Sequence, residues 1–155
     1  MIQGAALLAL SACGFTPIYG NGSAADRMHG LIAIGPLEGQ NGFDMRERLE
    51  TRLGVATQPA YILNVEPVIN TEGLAITPDG KITRYNLSGT ASFTLTTLDG
   101  TPVYSGKVEA FTAYNATGSA YATRVAQQDA NRRMSVTLAD KIVTQMAVSA
   151  RDWLT

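Results

Sequence analysis

One run limits the possible folds more than any other, RYNLSGTASFTLTTL from Arg84 to Leu98. At alternate positions Tyr85, Leu87, Gly89, Ala91, Phe93 and Leu95 share one side; Asn86, Ser88, Thr90, Ser92, Thr94 and Thr96 share the other. Side chains of an extended chain alternate between faces, so this is a long strand with one buried face. A helix would mix the two sets on every turn. The polar side carries hydroxyls and an amide but no charge, which is unusual for a face that meets only water.

The rest of the chain must pair with this strand or cover its apolar side. Its 155 residues suit one domain with one sizeable core. A net charge of −1 gives no field that would draw nucleic acid. A single cysteine rules out an intrachain disulfide and a cysteine metal cluster, and a single histidine, His29, argues against a His-rich centre or a Ser-His-Asp set. Asp79, Asp99 and Asp129 lie in turns or near a helix start without a nucleophile or phosphate loop beside them. The chain therefore reads as a binding or structural module, not an enzyme, with no cofactor expected.

At the N-terminus, Gly4 to Ala12 is apolar but much too short to cross a bilayer, which takes roughly 20 residues. It fits the apolar part of a secretory signal, and Leu10-Ser11-Ala12-Cys13 resembles a bacterial lipobox. Residues 1–12 are thus expected to be a signal peptide. The Cys13 thiol would then take a diacylglycerol and its freed amine a further acyl chain, and two or three chains hold a protein firmly where one does not. The alternative, a buried thiol opening a core helix, is opposed by Gly14, Pro17 and Gly20. Residues 13–28, rich in Gly, Asn and Ser, read as a lipidated tether, leaving 29–155 as the domain.

Leu31 to Ile34 is a short apolar strand, expected to be covered on both faces and ended by Gly35-Pro36. Met45, Leu49 and Leu53 then mark an amphipathic helix, capped by Asn41 or Asp44 and closed by Gly54. The charges between them read as a solvated face or a partner surface. A second strand begins at Tyr61, with Pro67 marking an edge or an irregularity, and resumes at Leu74. Thr77-Pro78-Asp79-Gly80 and Asp99-Gly100 are turns, and the next strand runs from Val103 to Thr112, where Phe111 breaks the alternation.

Ser119 can cap a long last helix whose stripe Ala130, Met134, Leu138, Ile142 and Met146 is joined by Ala139 and Val143. Its methionines fit core packing better than a ligand pocket. Trp153 can close the core edge or sit at a membrane interface. The expected fold is α+β: a β-α-β-β-β-α sandwich with two helices on one face of a largely antiparallel four-stranded sheet.

These elements behind a lipobox resemble the LPS-assembly lipoprotein family, LptE, in its alphaproteobacterial form. The resemblance rests on Cys13-Gly14-Phe15-Thr16-Pro17-Ile18-Tyr19-Gly20, Arg46-Glu47-Arg48-Leu49, Glu72-Gly73-Leu74-Ala75-Ile76, Thr83-Arg84-Tyr85, Ala113-Tyr114-Asn115-Ala116-Thr117 and Ala126-Gln127-Gln128-Asp129-Ala130. It implies an acyl-anchored protein on the periplasmic side of the outer membrane. There it would plug and help assemble the β-barrel LptD and contact lipopolysaccharide, catalysing nothing. It also gives the uncharged face a purpose, since hydroxyls can trade hydrogen bonds with a polar barrel wall without desolvating full charges. An ordinary wetted face is the plainer reading.

By the same resemblance, bases at the sheet tip and before the last helix would meet the lipid phosphates. The matching positions are Arg124 and, where Pro78 replaces a base, Lys81 or Arg84. Ordinary solvated bases are the alternative. The rival function is an accessory lipoprotein of another envelope lipid transporter, binding lipid or a periplasmic partner.

Overall fold

The computed structural model describes residues 23–76 and 82–154. Cys13, the expected signal peptide, the first part of the expected tether, the Pro78–Lys81 turn and Lys81 itself lie outside the described residues. The elements run α1 (Ala24–Met28), β1 (Ile32–Ile34), α2 (Gly39–Leu53), β2 (Tyr61–Ile76), β3 (Ile82–Thr97), β4 (Pro102–Asn115), α3 (Ala120–Val148) and α4 (Ala150–Trp153).

The strand predicted from alternation is β3, and it lies inside a sheet of order β1-β2-β3-β4. β2, β3 and β4 form an antiparallel meander. Gly100 turns the β3–β4 hairpin at φ 89°. β1 pairs with β2 in parallel, Ile32 opposite Tyr61. A parallel pair needs a crossover, and α2 supplies it. The sheet is therefore mixed and, as expected, largely antiparallel.

Helices cover one face. Leu87, Ala91, Phe93 and Leu95 of β3 are buried under them, together with Met45, Leu49 and Leu53 of α2. The expected stripe of α3 is buried throughout, from Ala130 to Met146. Each such aliphatic side chain contributes about 1.5–3 kcal/mol on burial. Ser119 caps α3 by accepting from Ala122 N at 3.3 Å, and Gly54 closes α2 at φ 76°. Trp153 is buried and meets Tyr61 edge to face at 5.5 Å, closing the core at the sheet end where β2 begins.

Several expectations change. Within the stretch expected to be tether, Ser23 Oγ accepts from Asp26 N to cap α1, and Met28 of α1 is fully buried in the core. Glu38, not Asn41 or Asp44, is the N-cap residue of α2. β1 is an edge strand, with Ile32 buried but Ala33 and Ile34 only half-buried. β2 continues through Pro67, and its pairing with β3 turns irregular only beyond Gly73, where the register shifts on each side of Ala75. Tyr61 N donates to Leu31 O and Leu63 O accepts from Gly35 N, so odd-numbered residues of β2 face β1. By alternation the ring nitrogen of Pro67 points to that same side, beyond the end of β1, where no ladder bond is lost.

The other edge belongs to β4. Two bases of α3 reach its outward carbonyls: Lys141 Nζ donates to Glu109 O at 2.6 Å and Arg133 Nη2 to Ala113 O at 3.3 Å.

Candidate functional site

The hydroxyl face of β3 points away from the helices. Asn86 and Ser92 are exposed, and Ser88, Thr90, Thr94 and Thr96 are half-buried by their neighbours in the sheet. Thr96 Oγ1 donates to Ile62 O at 3.5 Å. The six residues thus form one continuous polar stripe, as alternation requires.

Register shows what flanks the stripe. Ser92 lies between Glu66 and Lys107, Thr90 between Val68 and Glu109, and Ser88 between Asn70 and Phe111. Lys107 and Glu109 pair at 3.3 Å. The uncharged track is therefore confined to β3, and its neighbours bring charge to both sides. Phe111 keeps the alternation after all: it belongs to the outward set of β4 and is 79% exposed. Val68, diagonally across the stripe, is 53% exposed. An aromatic and an aliphatic side chain thus stand free beside the polar stripe.

The predicted bases do not form one cluster. Ala116 N donates to Thr83 O at 2.9 Å, tying the entrance of α3 to the start of β3. Arg84 and Arg124 therefore share one end of the molecule. Arg84 falls in the even-numbered, outward set of β3, whereas Arg124 rides on α3 above the opposite face. Both are exposed.

Sequence reasoning missed the seam between the helices. α2 and α3 run parallel, and Asp140 of α3 receives Arg48 through two bonds of 2.9 Å and Arg52 through one of 2.8 Å. The hydrogen bond to Asp140 raises the Arg48 pKa above its ordinary value. Much of the charge expected to face water therefore joins two helices instead. Arg46 and Glu50 do form the expected i,i+4 pair, at 3.3 Å.

Towards the α3 start, the seam opens into a cleft of about 540 Å³ between the first turns of α2 and the second to fourth turns of α3. Gln40, Asn41, Gln128 and Asn131 line it, with Asp44, Val125, Asp129 and Arg132. Asp44 is only 8% exposed and accepts from Gln40 Nε2 at 3.2 Å. Asp129 is paired with Arg133. Nothing local in the sequence marks this site, because its walls come from segments far apart in the chain.

Among the described residues no helix is long and apolar enough to cross a membrane. The profile of a family described as "LptE: Lipopolysaccharide-assembly" matches residues 31–146. Among solved structures, the chain is similar to a candidate lipoprotein from Caulobacter crescentus CB15. The match has a TM-score of 0.67 and 25% identity, over 83% of this chain and 98% of that one. A minor lipoprotein from Acinetobacter baumannii matches with a TM-score of 0.63 and 19% identity, over 78% and 92%. Rare lipoprotein B from Shewanella oneidensis matches with a TM-score of 0.57 and 18% identity, over 77% and 93%. The last two, at such identities, speak for the fold. No curated protein matches the chain.

Proposed function

The chain belongs to the lipopolysaccharide-assembly family LptE, and from that premise we propose that it is an outer-membrane lipoprotein that plugs and helps assemble an LptD-type β-barrel. It is anchored by acyl chains on Cys13, faces the periplasm, contacts lipopolysaccharide on its way to the surface and catalyses nothing. The observation that carries this reading is the open face of β3, a track of hydroxyls flanked by Phe111 and Val68. A partner that meets this face can pair with the hydroxyls while burying one aromatic ring, the combination that makes a specific contact without a large desolvation cost.

The long axis suits the same reading. The described chain enters beside Leu53 and Tyr61, where Gly30 N donates to Leu53 O, at the end opposite Arg84 and Arg124. α3 spans that distance with 29 residues, about 44 Å at 1.5 Å per residue. That is comparable to the thickness of a bilayer with its headgroups, about 40–45 Å. A base at the far end can therefore meet lipid phosphates well away from the anchor, its guanidinium matching two oxygens at once.

The test is the simultaneous replacement T90K, S92K and T94K. Three ammonium groups on the track should sharply reduce co-purification with the barrel from outer membranes while the variant keeps the wild-type circular dichroism. Full co-purification by the triple variant would reject the interface. A parallel pull-down with Cys13→Ala checks the anchor: the wild type should fractionate with outer membranes and the variant should be released.

A further inference from the structure

We propose that the cleft between α2 and α3 is a saccharide-binding site, taking the sugar part of a phosphorylated glycolipid whose phosphate rests on Arg124. The proposal deepens the lipopolysaccharide contact above and rests on that reading for the identity of its natural ligand.

Four carboxamides, Gln40 and Asn41 from one helix and Gln128 and Asn131 from the other, converge on a volume of about 540 Å³. That volume is within the range of small-ligand sites. Each carboxamide offers a donor pair and an acceptor on a rigid plane, which matches neighbouring hydroxyls of a pyranose ring, themselves donors and acceptors. The floor is unusual for a helix surface. Asp44 is a carboxylate at 8% exposure, with Gln40 as its hydrogen-bonding neighbour, and a buried carboxylate gains from further donors. Sugar hydroxyls supply such donors. A free phosphate suits the cleft poorly, because the lining sets the two carboxylates of Asp44 and Asp129 against the single guanidinium of Arg132.

The phosphate has a place one turn away. Arg124 stands four residues before Gln128, on the same helix face and beyond the rim of the cleft. A sugar seated among the amides can therefore project a phosphate onto this exposed guanidinium. The two parts of the ligand meet two chemically distinct parts of the surface.

The test uses the full chain in detergent, amide-resolved NMR and an unphosphorylated β1→6-linked glucosamine disaccharide. Resonances of Gln40, Asn41, Gln128 and Asn131 should shift and saturate at about millimolar disaccharide, and inorganic phosphate should leave them in place. The double variant Q128L, N131L should weaken binding about tenfold or more. If that variant does not fold, Asn41→Ala at the exposed start of α2 takes its place and should weaken binding measurably. Arg124→Ala should leave the plain disaccharide unaffected and abolish the extra affinity gained by a monophosphorylated one. Unmoved cleft resonances at saturating disaccharide, or equal shifts with phosphate alone, would overturn the assignment. If the cleft fails while barrel co-purification and lipopolysaccharide binding persist, only this site is lost. If the wild type brings down no barrel, the plug reading falls and the disaccharide titration still decides the cleft.

Discussion

At Gly89, β3 lets the last helix come close. A Cβ built there would lie 2.5 Å from Met134 Sδ and 3.2 Å from Leu138 Cδ1. Gly89→Ala should therefore cost about 1–3 kcal/mol, the usual range for overpacking, read as a lower denaturant midpoint with an unchanged slope. Ser135 behaves in the opposite way. Its hydroxyl is fully buried with no hydrogen-bond partner. Ser135→Ala should leave stability unchanged or raise it by about 1 kcal/mol in the same measurement, since removing an unsatisfied polar atom removes its desolvation cost. The first position was legible in the sequence as a member of the apolar set, though not as a contact. The second was not, because a serine on a helix says nothing of its rotation towards the core.

Elements were legible where a period repeats for long enough. The alternation of β3 and the four-residue stripe of α3 each persist over many turns or pleats, so both faces could be assigned before any pairing was known. Shorter pieces depended on tertiary partners. α1 lies beside a Gly- and Asn-rich stretch, and only its packing through Ala24, Ala25 and Met28 makes it part of the core. The parallel pairing of β1 follows from the path of α2, which no local pattern records. The α2–α3 seam belongs here too, because Arg48, Arg52 and Asp140 look like any solvated helix charges in one dimension. Asp140→Asn should cost about 1 kcal/mol or less, as the pairs are about a third exposed and screened by water. The difference from wild type should shrink in thermal unfolding at high salt.

For the molecule as a whole, the two described bases at the far end are separated by the sheet. A single phosphate clamp would make Arg84→Ala and Arg124→Ala non-additive, because removing one would already release the ligand. With the sheet between them, their effects on lipopolysaccharide retention should add within about 0.5 kcal/mol. Competition binding of both single variants and the double variant measures this. The hydroxyl track could be read from the sequence because it is one strand; the cleft could not, because the approach of two helices creates it.

The grip of Lys141 and Arg133 on two outer carbonyls of β4 has a consequence for how copies of the chain meet. Where sister molecules meet side by side, a bare border strand would invite them to zip together into a continuous ribbon. Two long cationic arms laid across that border occupy two of its acceptors, Glu109 O and Ala113 O, and confront a neighbour with like charge. That border is thereby a poor template for a second copy, and the hydroxyl face of β3 lies clear of it.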